Sequence, residues 1–248
     1  MSDSLEGKSV VVIGGTGGIG AATSRRFAAA GARVVVAGQS VERAQKVVAG
    51  LPGIGHFAAK VFIEKSDTLK QLAEDVAGRY GHVDVLVNAA GFTRPVPHAD
   101  LDALTDELID DIMRVNLRAQ FAAVRVFRAL LERSGAGLIV NVSSISGSNG
   151  IGSNIAYCAA KAGLDVMTMS LARVLAPRVR ILNVAPGVVN TGFVPGRSAD
   201  FNDKVASTTP LRRIGSADDI AQAIEACATQ LTFSTGTTIV VDGGRRLG

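Results

Sequence analysis

Short apolar runs alternate with longer amphipathic stretches from one end of the chain to the other. The apolar runs are rich in β-branched residues, as is typical of strands covered on both faces, and they predict strands at Val10–Ile13, Arg33–Ala37, Ala58–Ile63, Asp84–Val87, Leu138–Val142, Val179–Val184 and Thr238–Val241. The stretches between them predict helices near Gly18–Ala30, Val41–Ala49, Asp67–Arg79, Leu101–Arg133, Asn154–Leu175 and Ala217–Thr229. This order favours an α/β fold, a doubly wound parallel β-sheet of about seven strands with helices on both faces.

Two stretches interrupt the alternation. Ile145–Ser153 is polar and glycine-rich, and Gly192–Gly215 contains Pro195 and Pro210 with little periodicity. Both follow predicted strands at their carboxyl ends, where open α/β sheets bind ligands. We therefore expect the stretch near 192–215 to form a substrate lid. Because no repeat or linker divides the sequence, we expect residues 1–248 to form a single domain.

Composition narrows the classes of function. The 248 residues are 47% hydrophobic and 19% charged, which is typical of a globular protein. The net charge is only +4 and the basic residues are spread out, so we expect neither a nucleic-acid nor a membrane partner. The polar, acidic start and the short apolar runs favour a cytoplasmic protein. Cys158, Cys227 and the three scattered histidines lack the spacing of metal ligands, so we expect no metal site.

Tyr157 and Lys161 lie four residues apart, thirteen residues after Ser144. On a helix, residues at this spacing share one face, so the phenol and the ammonium point into the same space. A free tyrosine has a pKa of about 10, and a nearby positive charge lowers that pKa. The pair is therefore a candidate acid/base device for carbonyl and alcohol chemistry.

The first predicted strand is followed by a glycine-rich turn that opens the first helix. Gly15, Gly17 and Gly20 satisfy the pattern G-x-G-x-x-G, and Gly14, Gly18 and Gly20 satisfy G-x-x-x-G-x-G. Glycine lets the backbone approach a pyrophosphate, whose charge then meets the helix N-terminus. The context of strand, turn and helix predicts a dinucleotide site of the Rossmann type.

The end of the second strand bears on the choice of cofactor. An acidic residue here usually binds the ribose 2′-hydroxyl of NAD, but this chain has Gln39 and Ser40, and Arg43 is the nearest cation. We therefore favour NADP, while NAD or dual use stays open.

With these features in place, the chain resembles the short-chain dehydrogenase/reductase (SDR) family over essentially its whole length. The matching motifs are Gly14-x3-Gly18-x-Gly20, Asp84, Asn88-Ala89-Ala90-Gly91, Asn116, Ser143-Ser144, Tyr157-x3-Lys161, Pro186-Gly187-x3-Thr191, Pro210-Leu211-x-Arg213-x-Gly215 and Val241-Asp242-Gly243-Gly244. The resemblance implies an NAD(P)-dependent oxidoreductase that interconverts a secondary alcohol and a ketone or aldehyde by hydride transfer.

The resemblance also implies catalytic roles. Tyr157 would act as general acid/base, and Lys161 would lower its pKa and bind the nicotinamide ribose. Ser144 would hold the substrate oxygen, and Asn116 would sit in a bent helix and anchor a water linked to Lys161. The implied cofactor contacts are Gly14, Thr16, Gly17, Gly18, Ile19, Gly20, Gln39, Ser40, Ile63, Asn88, Ala89, Ala90, Gly91, Tyr157, Lys161, Pro186, Gly187, Val189 and Thr191.

Three positions depart from the family pattern. Phe62 replaces the usual aspartate near the adenine, and Ala89 replaces the second asparagine of its motif. Leu182 stands where an asparagine is usual, and Asn183 follows one place late. We expect these changes to affect cofactor affinity more than chemistry.

The substrate pocket is expected to accept a small, moderately polar alcohol or ketone. Arg94 and Arg197 could neutralise an anionic substrate, or could simply be solvated. The candidate lining residues are Arg94, His98, Ile145, Ser146, Asn149, Ile151, Asn154, Gly187, Val188, Phe193 and Val194.

Surplus apolar positions on the helices at 101–133 and 154–175 favour a helix–helix interface. The resemblance implies a homotetramer, with a dimer as the alternative. Two other functions stay open: a catalytically silent, nucleotide-sensing regulatory protein with this fold, and an epimerase or lyase of the family.

Overall fold

The computed structural model describes residues 5–196, 198 and 200–247. Within them, seven parallel strands form one sheet in the order β3-β2-β1-β4-β5-β6-β7. The strands are β1 (Ser9–Ile13), β2 (Arg33–Gly38), β3 (Phe57–Lys60), β4 (Val85–Asn88), β5 (Gly137–Val142), β6 (Val179–Pro186) and β7 (Thr238–Val241). The order reverses between β1 and β4, so the sheet is doubly wound and the predicted fold class is confirmed.

Helices cover both faces of the sheet. They are α1 (Gly18–Ala29), α2 (Val41–Ala49), α3 (Ser66–Tyr80), α4 (Asp106–Met113), α5 (Ala119–Arg133), α6 (Ser146–Asn149), α7 (Ile155–Leu175), α8 (Phe201–Thr208) and α9 (Ala217–Thr229). A π-helical turn at Arg114–Arg118 joins α4 to α5, and a 3-10 turn at Arg245–Leu247 follows β7. Of the helices in the described part of the chain, none is long and apolar enough to cross a bilayer.

Alternating strand residues build two hydrophobic cores. Val11 and Ile13 face one core with residues of α3 and α5, while Val10 and Val12 face the other with residues of α1 and α9. Successive side chains of a strand point to opposite faces, so a strand covered on both sides must be apolar throughout. This is why the strands read as continuous hydrophobic runs.

The long helix expected from Leu101 to Arg133 begins five residues later. The Asp100 carboxylate accepts a hydrogen bond from the Ala103 backbone N–H and stabilises a turn in place of a helix. The Thr105 hydroxyl then accepts from Leu108 N–H and caps α4. The π-helical turn inserts an extra residue between α4 and α5 and gives the bend that was expected around Asn116.

Other boundaries also differ from the prediction. Strand β3 ends at Lys60 instead of Ile63, because the chain leaves the sheet after Val61 and its Phe62 peptide groups bond to the Thr68 hydroxyl. Two short helices were not predicted: α6 lies in the glycine-rich stretch, and α8 lies in the expected lid.

A ladder of polar side chains crosses four neighbouring strands of the sheet. Asn88, Asn141, Asn183 and Thr238 are paired at one register on β4, β5, β6 and β7. Asn88 Nδ2 donates to Asn141 Oδ1 at 2.9 Å, and Asn141 Nδ2 donates to Asn183 Oδ1 at 3.1 Å. Leu182, one place earlier than Asn183, points to the opposite face and packs in the core with α9.

Candidate active site

A cavity of about 830 Å³ opens at the carboxyl ends of the strands. This is the position at which open α/β sheets bind ligands. The predicted site residues that line it are Thr16, Gly17, Gly18, Ile19, Gly20, Ala89, Ala90, Gly91, Ser144, Tyr157, Lys161, Pro186, Gly187, Val189 and Thr191. The structure therefore brings together residues that are up to 175 positions apart, counting from Thr16 to Thr191.

The glycine-rich turn between β1 and α1 has no room for side chains. A Cβ on Gly14 would lie 2.5 Å from Ala90 N, and one on Gly20 would lie 2.2 Å from Gly14 O. Gly17 caps α1 without a side-chain hydrogen bond, and the first turn of α1 contains no acidic residue. The first amides of α1 are therefore left for another acceptor, and this arrangement fits the pyrophosphate of a dinucleotide.

Helix α7 carries the tyrosine and the lysine one turn apart, as their spacing predicts. Asn154 caps the helix by accepting a hydrogen bond from Tyr157 N–H at 2.7 Å. Both side chains are buried, and Lys161 Nζ lies 5.6 Å from the centre of the Tyr157 ring. The ammonium donates a 2.7 Å hydrogen bond to Val142 O at the end of β5.

Burial controls the ionisation of this pair. It raises the pKa of Tyr157 above the ordinary value, and the hydrogen bond between Tyr157 and Ser144 is the main opposing effect. Burial also lowers the pKa of Lys161 to about 8, against the opposing charge of Asp165. Loss of solvation is therefore the largest effect on the pKa of Tyr157 in this structure, and the expectation that Lys161 lowers that pKa remains a prediction.

Asn116 lies beside the cavity and not in its wall. Its Nδ2 donates to Phe92 O at 2.7 Å and to Ile112 O at 2.9 Å, and its Oδ1 accepts from Phe92 N–H at 3.3 Å. These bonds occupy both amide protons and fix the loop that follows Gly91. The water that Asn116 was expected to anchor remains a prediction.

The two serines after β5 have different partners. Ser144 Oγ donates to Ser146 Oγ at 3.0 Å and accepts from Ser146 N–H at 3.1 Å, within the cavity wall. Ser143 Oγ instead donates to Asp165 Oδ1 at 2.7 Å. Asp165, one turn after Lys161, also accepts from Asn183 Nδ2 at 2.7 Å and so connects α7 to the asparagine ladder.

Six predicted site residues lie outside the cavity wall. Gln39 is exposed after β2, Ser40 caps α2, and Ile63 is buried in the core. Gly14 supports the turn from behind, Asn88 belongs to the asparagine ladder, and Asn116 braces the neighbouring loop.

The substrate end of the cavity matches most of the expected residues. The lining residues are Ile145, Ser146, Asn149, Ile151, Gly187, Val188, Phe193 and Val194. Arg94 and His98 are exposed and do not line it, and Asn154 is committed to capping α7. Arg197 lies outside the described residues.

Three lining residues beyond position 200 were not named individually from the sequence. Phe201 and Thr208 lie on α8, and Arg245 lies in the turn after β7. Phe201 and Thr208 fall in the stretch 192–215 that was expected to form a lid, whereas no local pattern marks Arg245, because only the folded sheet brings it to the cavity.

The charges around the cavity are all of one sign. Arg43, Lys161 and Arg245 line it, and the lining residues in the described ranges include no aspartate or glutamate. A cleft lined by one sign of charge attracts ligands of the opposite sign.

The chain is similar to known proteins over nearly its whole length. Residues 8–201 match the model of the short chain dehydrogenase family, so the chain belongs to that family and is an oxidoreductase. It is 39% identical to a protein named as a ketoacyl reductase of granaticin polyketide synthesis in Streptomyces violaceoruber, over 99% of both chains. It is 35% identical to the 3-oxoacyl-(acyl-carrier-protein) reductase FabG of Thermotoga maritima, over 97% of this chain and 98% of that one.

A solved structure is similar as well. The crystal structure of a short-chain dehydrogenase/reductase from Burkholderia xenovorans superposes with a TM-score of 0.90 and 31% identity, covering 98% of this chain and 99% of the other.

Proposed function

We propose that the protein is an NAD(P)-dependent reductase that converts the ketone of a 3-oxoacyl thioester to a secondary alcohol. The observation that carries the proposal is the buried Tyr157–Lys161 pair on α7, in a cavity that also contains the glycine-rich turn. The substrate class comes from the printed names of the two relatives, which are ketoacyl reductases. An epimerase or lyase has no comparable support.

A bound nicotinamide supplies the hydride, and the chain supplies binding, orientation and the proton. The free amides at the start of α1 hold the pyrophosphate. Thr191 and the backbone of Val189 hold the carboxamide, and Lys161 holds the nicotinamide ribose. These assignments follow from the family and from the position of each residue in the cavity wall.

Tyr157 holds the proton at its hydroxyl and donates it to the substrate oxygen during reduction. Its raised pKa keeps it protonated at neutral pH, which is the state that a proton donor needs. Ser144, which hydrogen-bonds Tyr157, orients the carbonyl oxygen toward that proton. The charge of Lys161 stabilises the phenolate that remains after the transfer.

The preferred cofactor in this proposal is NADP. Among the residues that the structure describes, no acidic one lines the cavity near the end of β2, where it would repel a 2′-phosphate, whereas Arg43 does line the cavity. Glu42 is exposed, and its carboxylate accepts a hydrogen bond from the Ser40 hydroxyl. The charges at this end of the cavity therefore favour the ribose of NADP, which carries a 2′-phosphate, over that of NAD.

We also propose a cytoplasmic homotetramer of single-domain subunits, with residues 192–215 as a lid and a dimer as the alternative assembly. Phe121 on α5 and Val166 and Met169 on α7 are 41%, 60% and 46% exposed. Large apolar side chains exposed on neighbouring helices are typical of subunit interfaces.

Two measurements test the enzymatic proposal. Calorimetric titration with NADPH and NADH should give tighter binding of NADPH by at least about tenfold, or about 1.4 kcal/mol. Reduction of 3-oxobutyryl-N-acetylcysteamine should then fall about 100-fold or more in Tyr157→Phe, because general acid catalysis typically contributes that much.

Tyr80, the other tyrosine of the chain, provides the matched control. It lies on α3 outside the cavity wall, so Tyr80→Phe should keep full turnover. Nucleotide binding with no reduction of any ketone, unchanged by Tyr157→Phe, would instead support a nucleotide-sensing protein.

A further inference from the structure

We propose that Arg245 binds an anionic group, a phosphate or a carboxylate, that the substrate carries some distance from its ketone. This inference rests on the proposed function, because it assumes a ketone substrate in the cavity. It adds a substrate-binding residue outside the four-residue catalytic set, on a part of the chain to which the sequence analysis gave no role in binding.

Arg245 reaches the cavity from the edge of the sheet. It follows β7, the outermost strand on one side, whereas Arg43 follows β2 on the other side of the switch point. The turn after β7 is packed tightly in place: a Cβ on Gly187 would lie 2.8 Å from Asp242, and one on Gly244 would lie 2.9 Å from Pro210. This packing leaves the arginine beside the lid helix α8.

The guanidinium is partly anchored and partly free. Its Nη1 donates to Thr208 Oγ1 at 3.1 Å and to Val205 O at 3.5 Å, at the C-terminal end of α8. Within the ranges that the structure describes, Nε and Nη2 have no hydrogen-bond partner and no carboxylate lies within ion-pair distance. The side chain is half-buried and lines the cavity, so these donors are available to a ligand there.

The anion that meets Arg245 belongs to the substrate and not to the cofactor. The phosphates of a dinucleotide are expected at the turn between β1 and α1 and near Arg43, on the other side of β4 in the sheet. Apolar side chains, including Ile145, Val188 and Phe201, line the same cavity as Arg245, and Phe201 lies on α8 together with Thr208, the hydrogen-bond partner of Arg245. An acyl group with an anionic end matches this combination, and guanidinium binds carboxylate and phosphate with paired hydrogen bonds.

Matched substrate pairs test the proposal and distinguish the two anions. 3-Oxobutyryl-pantetheine and its 4′-phosphate differ by one phosphate, and the dimethyl and monomethyl esters of 3-oxoadipic acid differ by one carboxylate. We expect Arg245→Ala to raise KM about tenfold for the charged member of at least one pair, while KM for the neutral members changes less than twofold.

Arg246 is the matched control, since it is the next residue in the turn and is exposed. Arg246→Ala should leave all four KM values unchanged. Arg245→Gln keeps a donor for Thr208 but removes the charge, so it should reproduce the selective loss even if Arg245→Ala disturbs α8. A change in KM that is equal for charged and neutral members would mean that Arg245 only caps α8, and would overturn the proposal.

A binding measurement separates this proposal from the enzymatic one. Calorimetry with 4′-phosphopantetheine and with monomethyl 3-oxoadipate should detect binding of at least one of them by the wild type, weakened about tenfold in Arg245→Gln. If no ketone is reduced, the proposed function fails and this titration alone decides the role of Arg245. Equal binding by wild type and Arg245→Gln, or no binding of either compound, would exclude the anion site.

Discussion

Lys161 holds its ammonium group in a buried position, where it donates to Val142 O and shares one face of α7 with Tyr157 and Asp165. Burial lowers its pKa to about 8, while the charge of Asp165 acts in the opposite direction. At neutral pH the side chain is therefore mostly charged, but it loses its proton at a lower pH than an ordinary lysine does. This property depends on three-dimensional burial and has no counterpart in the spacing of the motif.

The lowered pKa predicts a pH-dependent contribution to folding. An unfolded lysine has a pKa of about 10.4, so between pH 8 and 10.4 the unfolded chain binds more protons at this position than the folded chain. The free energy of unfolding therefore rises as the pH increases from 8 to 10.4. The contribution of Lys161 to this free energy is fully present above pH 10.4 and is lost as the pH falls toward 8. Relative to Lys161→Met, the free energy of unfolding of the wild type should increase by up to about 3 kcal/mol as the pH is raised from 8 to 10.5. Urea unfolding at a series of pH values measures this change.

The exposed Lys70 on α3 provides the control for this measurement. The stability difference between wild type and Lys70→Met should stay nearly constant over the same pH range. A constant difference for Lys161→Met as well would contradict a lowered pKa in the folded protein.

At the scale of elements, the turn between β1 and α1 makes different demands on its glycines. A Cβ on Gly20 would lie 2.2 Å from the backbone oxygen of Gly14, whereas one on Gly17 would have its nearest neighbour, the same oxygen, at 3.5 Å. Gly20→Ala should therefore distort the turn, lower the thermal midpoint of unfolding and abolish binding of NADPH in calorimetric titration. A short contact with rigid backbone costs more than one with a flexible side chain.

Gly17→Ala, only three residues away, should remain folded with a thermal midpoint close to that of the wild type. If the thermal midpoint fell equally in Gly17→Ala and Gly20→Ala, the loss of glycine flexibility would explain both changes. The close contact at Gly20 would then not be the cause.

The elements that the sequence predicted best are those whose signals are local. The bounds of α2, α9 and β7 agree with the prediction, since capping residues or turns define their ends. Helix α8 was missed because the stretch 192–215 shows little periodicity in its sequence. The resemblance to the family implied a bend near Asn116, but not that the bend would be a π-helical turn.

The same distinction applies to the site. Tyr157 and Lys161 could be found because helical geometry alone places them together. The contribution of Arg245 depends on the order of the strands and on the close approach of Gly187 to Asp242, which no sequence window contains. The raised pKa of Tyr157 could not be predicted either, because the motif indicates a neighbouring charge but not the degree of burial.

At the scale of the whole molecule, the exposed apolar side chains of α5 and α7 predict a subunit interface. A charge placed in such an interface loses its solvation without gaining a partner. Val166→Asp should therefore reduce the assembly to a smaller species, measured as molar mass by light scattering during size-exclusion chromatography.

Ile54 is 90% exposed in the loop before β3 and provides a control outside these two helices. Ile54→Asp should leave the molar mass unchanged. A wild-type protein that elutes as a monomer would refute both the tetramer and the dimer.

The asparagine ladder has a consequence for how the sheet assembles. If β6 slipped by one residue against β5, Leu182 would take the place of Asn183 opposite Asn141, and polar amides would enter the apolar layer. The asparagine amides therefore make a one-residue shift in strand register unfavourable, whereas a row of valines at the same positions would allow it. The register of β5 and β6 pairs Val142 with Val184, so Ser144 and Pro186, each two residues further on, lie side by side in the cavity wall. This part of the site is therefore formed by the fold itself and does not require a bound ligand.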